Sequence, residues 1–166
     1  MLFNKNYKKG ISVIELLLAA FFIISAVVAL VGVAGFSASA SVIARKTIQA
    51  NTLAASLMES ARSLRDGTVW GVDGFGTVLN GAPYHFQETI GNPPSWILSE
   101  GEETIAGFQR KIIFYNVLRD ANDNIVVEGG LVDPETKKAT VTVSWQEKSR
   151  NHQVSLETIF TNWIVQ

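Results

Sequence analysis

The stretch "KKGISVIELLLAAFFIISAVVALVGVAGF", residues 8 to 36, decides how the rest of the chain is read. From Ile11 to Phe36 it runs for 26 residues with a single charge, Glu15. A hydrocarbon core about 30 Å thick needs about 20 apolar helical residues, so this run is long enough to span one. Lys5, Lys8 and Lys9 precede it with no acidic residue among them. Basic residues beside a membrane segment stay cytoplasmic, so the pattern predicts a cytoplasmic N-terminus and export of the remainder. A carboxylate at the bilayer centre costs about 2.5–3.5 kcal/mol on insertion scales, and less near the headgroups. A run that only anchored would have no use for Glu15, so this residue needs a charged partner.

The apolar run passes into a helical pattern rather than a loop. Ile43, Thr47, Ala50, Leu53/Ala54, Leu57, Ala61 and Leu64 recur every three or four residues, with Arg45, Gln49, Ser56 and Arg62 off that stripe. No proline occurs before Pro83, and Arg62, Arg65 and Gly67 supply a helix stop. The pattern predicts one helix from about Ile11 to Arg65, some 55 residues, and therefore about 80 Å long. Its segment 11–36 is the transmembrane half and 37–66 the amphipathic continuation. Gly32 and Gly35 lie between the two, where a bend would cost least.

Residues 67–107 are rich in Gly, Pro and aromatics and read as a loop-rich connection, with short strands near Thr77–Leu79 and Tyr84–Thr89. The last third reads as antiparallel sheet. "FQRKIIFYNVLRD" (108–120) is rich in β-branched and aromatic residues, and "ANDN" turns it toward "IVVEGG". "KKATVTVSWQ" (137–146) alternates, placing Val141, Val143 and Trp145 on one face and Thr140, Thr142 and Ser144 on the other. "EKSRN" turns the chain, and "HQVSLETIF" returns with Val154, Leu156 and Phe160 inward. The fold class expected is α+β, with the helix stripe covering an antiparallel sheet of about four strands and residues 67–166 forming the exported domain.

Composition removes several functions. Residues 37–166 carry 11 Lys/Arg against 14 Asp/Glu, a net of −3, with no basic stripe, so no nucleic-acid partner is expected. Cysteine is absent. "DANDN" at 120–124 fails the calcium-loop pattern, since Ile125 and Leu131 stand where Gly and Glu belong, and it reads as a hairpin turn. His85 and His152 have no ligand spacing and read as sheet residues. "GVDGFG" (71–76) follows no strand–turn–helix unit and is not a phosphate loop. No serine sits in a nucleophile context, so no catalytic residue, cofactor or metal site is expected.

The basic leader, Gly10 at its end and Glu15 at the fifth position beyond it together resemble the class III signal of type IV pilins and pseudopilins. The resemblance implies that a prepilin peptidase removes residues 1–10, cutting between Gly10 and Ile11, and N-methylates Ile11. The cut removes all three lysines and leaves an α-ammonium at the membrane surface. In a bundle of such helices that ammonium can pair with Glu15 of a neighbour, so that any register leaving the carboxylate unpaired is penalised. Glu15 then registers subunit assembly. Ile11 and Ser12 replace the family's more usual Phe and Thr, and Gly32 stands where a helix-bending proline is common.

A second resemblance covers the rest of the chain. "ANTLAASLMESARSLRDGTVW" (50–70) is similar to the helix end of many minor pilins. "VDPETKKATVTVSW" (132–145) and "VSLETIFTNW" (154–163) are similar to the final hairpin of PilV-type pilus modification proteins. Together these imply a minor type IV pilin. Its partners would be prepilin peptidase, other pilin subunits, the inner-membrane assembly machinery and membrane lipid. It would be a single-pass protein of the inner membrane before entering an extracellular pilus. The same N-terminal physics serves a minor pseudopilin of a type II secretion system, and a membrane-tethered binding domain is a third alternative. An ordinary secretory signal would use Ala38-Ser39-Ala40 as its cleavage site, yet its apolar region spans about 7–15 residues and the helical stripe here runs straight through that site.

Overall fold

The computed structural model describes residues 12–90 and 96–163. The chain divides into two compact units, Met1–Ala44 and Arg45–Gln166. The long N-terminal helix expected from the pattern is present as α1 (Val13–Gly67). In the first unit its residues from Val13 to Phe36 are exposed almost throughout. This helix is long and apolar enough to cross a membrane, and none of its most apolar part is buried.

The second unit is α+β. Its antiparallel sheet contains β1 (Pro83–Glu88), β2 (Trp96–Glu100), β3 (Glu103–Ile105), β4 (Phe108–Arg119), β5 (Ile125–Val126), β6 (Leu131–Glu147) and β7 (Arg150–Thr161). The strand order is β2-β1-β4-β6-β7, with β3 and β5 also paired to β4. Ala50, Ala54, Leu57, Met58, Ala61 and Leu64 form the buried face of α1 here. They join Ile112, Phe114, Ala139, Val141, Val143, Trp145 and Phe160 in one core. The alternation of β6 therefore falls in the expected phase, and Val154 and Leu156 pack half-buried against the same cluster. Arg45, Gln49, Ser56 and Arg62 are exposed, as the stripe requires.

Three expectations are corrected. Among the described residues the sheet has seven strands rather than about four, because β2 and β3 arise within the stretch read as loop-rich. No strand forms at Thr77–Leu79; Phe75–Thr77 is a 3-10 turn. Of "IVVEGG", only Ile125 and Val126 pair with β4.

The 3-10 turn places Phe75 at the centre of the core. Its ring lies 4.5 Å from Phe114, 5.1 Å from Phe160 and 6.0 Å from Trp70, centroid to centroid. Two of the three glycines of "GVDGFG", Gly74 and Gly76, serve this plug. A Cβ on Gly76 would lie 2.6 Å from the Trp70 carbonyl oxygen, and one on Gly74 2.9 Å from the Trp70 Cα. The Trp70 indole N–H donates to the Pro134 carbonyl at 2.9 Å. That carbonyl is available because β6 breaks register with β4 between Asn116↔Lys137 and Val117↔Asp133, leaving Pro134 outside the ladders. A proline without an N–H is accommodated at such a bulge.

Candidate functional site

The functional residues read from the N-terminal pattern are Gly10, Ile11 and Glu15. Gly10 and Ile11 lie outside the described residues. Glu15 is exposed in the first turn of α1. The Ser12 carbonyl accepts hydrogen bonds from the Glu15 and Leu16 amides at 3.0 and 3.2 Å, which starts the helix one turn ahead of the carboxylate. At that end the helix dipole favours negative charge by about 0.3–1 kcal/mol in exposed geometry.

From Val13 to Phe36 Glu15 is the only ionisable side chain. The surroundings are apolar: Val13, Ile14, Leu16, Leu17, Leu18 and the residues beyond present their side chains outward. Ser25, the other polar side chain of this stretch, donates its hydroxyl to the Phe21 carbonyl at 2.8 Å. That bond satisfies it within the helix, so Ser25 adds little polarity to the surface. The arrangement is an apolar rod with one carboxylate near its end. Chemically a carboxylate there can pair with a cation, and the setting of such a pair would be low-dielectric only once the surrounding apolar side chains were covered.

Elsewhere several polar side chains are engaged structurally. In the turn after β4, the Asp120 carboxylate accepts the amides of Asn122 and Asn124, each at 2.9 Å, and the Asn124 side chain. The Asn124 bonds above all hold the Asp120 carboxyl below the usual carboxylate range. Arg119 reaches Asp133 at 2.7 Å across the same hairpin. Burial pushes the Asp133 carboxyl up, but bonds from Thr136, Arg119 and the Glu135 amide outweigh it and hold the carboxyl low. His85 lies in β1 opposite Ser99, and His152 stacks on Trp145 across β6–β7 at 5.3 Å. Among the described residues no three His, Cys, Asp or Glu side chains gather to hold a metal ion.

A cleft of about 720 Å³ opens beside the end of α1, walled by Leu64, Thr68, Asp73, Thr77, Tyr84 and Trp96. Its main polar groups are already used. Asp73 caps the Val69 amide at 2.7 Å, and the Tyr84 hydroxyl accepts the Leu79 amide at 3.0 Å. One surface feature escaped the sequence reading: Ile125, Val127, Leu131 and Val132, on the chain from β5 to the start of β6, are each exposed. The signal for it was available, because "IVVEGGLV" carries its apolar residues on a turn.

No protein-family model, no curated protein and no solved structure matches the chain.

Proposed function

We propose that this chain is a minor type IV pilin, a structural subunit that leaves the membrane with its helix intact and enters a pilus. The observation that carries the reading is the lone carboxylate in the first turn of an exposed apolar helix, whose continuation packs on an antiparallel sheet. A helix that only anchors a domain gains nothing from Glu15. A helix that must find its register among identical rods gains a single unambiguous pairing position. On this reading the partner cation is the α-ammonium created when prepilin peptidase cuts between Gly10 and Ile11.

The exposed apolar surface fits both environments that such a subunit meets, first lipid tails and then neighbouring helices. The second unit supplies its own core through residues 50–64 of α1, so the sheet domain stays folded while the apolar segment changes surroundings. The test is N-terminal mass spectrometry of the chain isolated from its native host. The expected first residue is N-methylated Ile11. A mature chain starting at Ser41 would make the protein a secreted domain and end the pilin reading.

A further inference from the structure

The cleft beside the end of α1 is uniform in its electrostatics. Its volume of about 720 Å³ falls in the range of small-ligand pockets. Asp73 is the only charged side chain on its walls. The cap on the Val69 amide engages Oδ1 of that carboxylate, and a carboxylate has a second oxygen and further lone pairs to offer. Among the described residues no Lys or Arg forms an ion pair with Asp73. The arginines in the last turns of α1 are committed elsewhere, Arg62 to Glu59 and Arg65 to Asp66.

The neighbouring groups favour the same sign of ligand. Thr68 and Thr77 donate their hydroxyl protons to the Leu64 and Gly74 carbonyls, at 2.7 and 2.8 Å. Each hydroxyl then has only lone pairs left for a ligand. The cleft also lies at the C-terminal end of α1, where the last carbonyls of a helix carry partial negative charge. Trp96 and Tyr84 add aromatic wall, a surface that attracts organic cations. A metal ion is the wrong occupant, because neither a second carboxylate nor a histidine lines the cleft. We propose that the cleft binds an organic cation, a primary ammonium on an aliphatic stem, with Asp73 as its counter-ion, Thr68 and Thr77 accepting its N–H groups, and Trp96 beside the stem. Such a group comes from a free diamine or from a lysine side chain of another polypeptide. Every wall of the cleft belongs to the second unit, so the proposal stands whether or not α1 enters a filament.

The test follows the amide and indole N–H shifts of the full chain in a nonionic detergent as cadaverine is added. Saturable shifts are expected at Thr68, Asp73 and Trp96, with the isosteric diol and glutarate binding at least about ten-fold more weakly. Asp73→Asn keeps an oxygen to accept the Val69 amide and removes the charge, and it is expected to weaken cadaverine by about ten-fold. Trp96→Leu leaves that cap untouched and is expected to weaken cadaverine several-fold. N-acetyl-lysine methylamide separates the sources. Tighter binding than cadaverine assigns the cleft to a lysine side chain, and weaker binding assigns it to a free diamine. Absence of saturable shifts with both amines, equal binding of the diol or glutarate, or full affinity in Asp73→Asn would each overturn the proposal. None of these outcomes bears on Glu15 or the leader, so the pilin reading is tested separately.

Discussion

Glu15 occupies the end of α1 where the helix dipole favours a carboxylate, yet the side chains of Val13, Ile14, Leu16, Leu17 and Leu18 around it are apolar and exposed. Glu15→Gln keeps the shape and removes the charge. Breaking one side of a buried ion pair costs about 3–5 kcal/mol, which corresponds to two orders of magnitude or more in incorporation. The variant is expected to insert and be cleaved normally while falling sharply in sheared filaments, as immunoblots of membrane and filament fractions will show. Wild-type levels in filaments would leave the carboxylate without a role in assembly. Lys137 poses a different problem. It is only 7% exposed and its ammonium donates to Asn116 at 2.7 Å, so burial pushes its pKa below the ordinary lysine value. The unfolded chain then holds the proton more tightly than the folded one, and stability rises as pH climbs toward about 10.4, where free lysine titrates. Lys137→Met is expected to flatten that alkaline rise in denaturation curves of the full chain in detergent. An unchanged slope would show that this ammonium is well solvated.

At the scale of elements, the 3-10 plug and the last hairpin can be tested separately. Gly76→Ala forces a Cβ against the Trp70 carbonyl and ring, and overpacking of this kind costs about 1–3 kcal/mol. Gly71→Ala meets nothing within 4 Å and serves as the neutral control. Equal melting temperatures for the two variants would mean that the plug is not tightly packed. The β6–β7 hairpin turns through Lys148 and Ser149, both with positive φ, 45° and 64°. That is the type I′ geometry which Gly adopts without strain, so Ser149→Gly is expected to stabilise by roughly 0.5–1 kcal/mol after the entropy of the unfolded glycine is counted. The long helix and the β4, β6 and β7 strands were legible because each carries an unbroken period over many residues. β2 and β3 are short, and the reason Phe75 is buried lies in Phe114 and Phe160, far along the chain. Nothing local to "GVDGFG" announces those contacts. The cation proposed to meet Glu15 rests on the leader pattern alone, since on the pilin reading it would come from another chain.

For the whole molecule, the central question is whether α1 stays in the membrane or travels with the domain. The second unit holds its own core, and the exposed part of α1 is apolar on all sides, a surface suited to lipid first and to other helices afterwards. A tethered domain and a filament subunit share these features until the cell surface is sampled. The deciding measurement is the intact mass of the chain in the sheared surface fraction of its native host. The pilin reading predicts a chain beginning at N-methylated Ile11 and retaining the whole apolar helix in that fraction. A chain confined to the membrane pellet, or one in the medium lacking the helix, would contradict it.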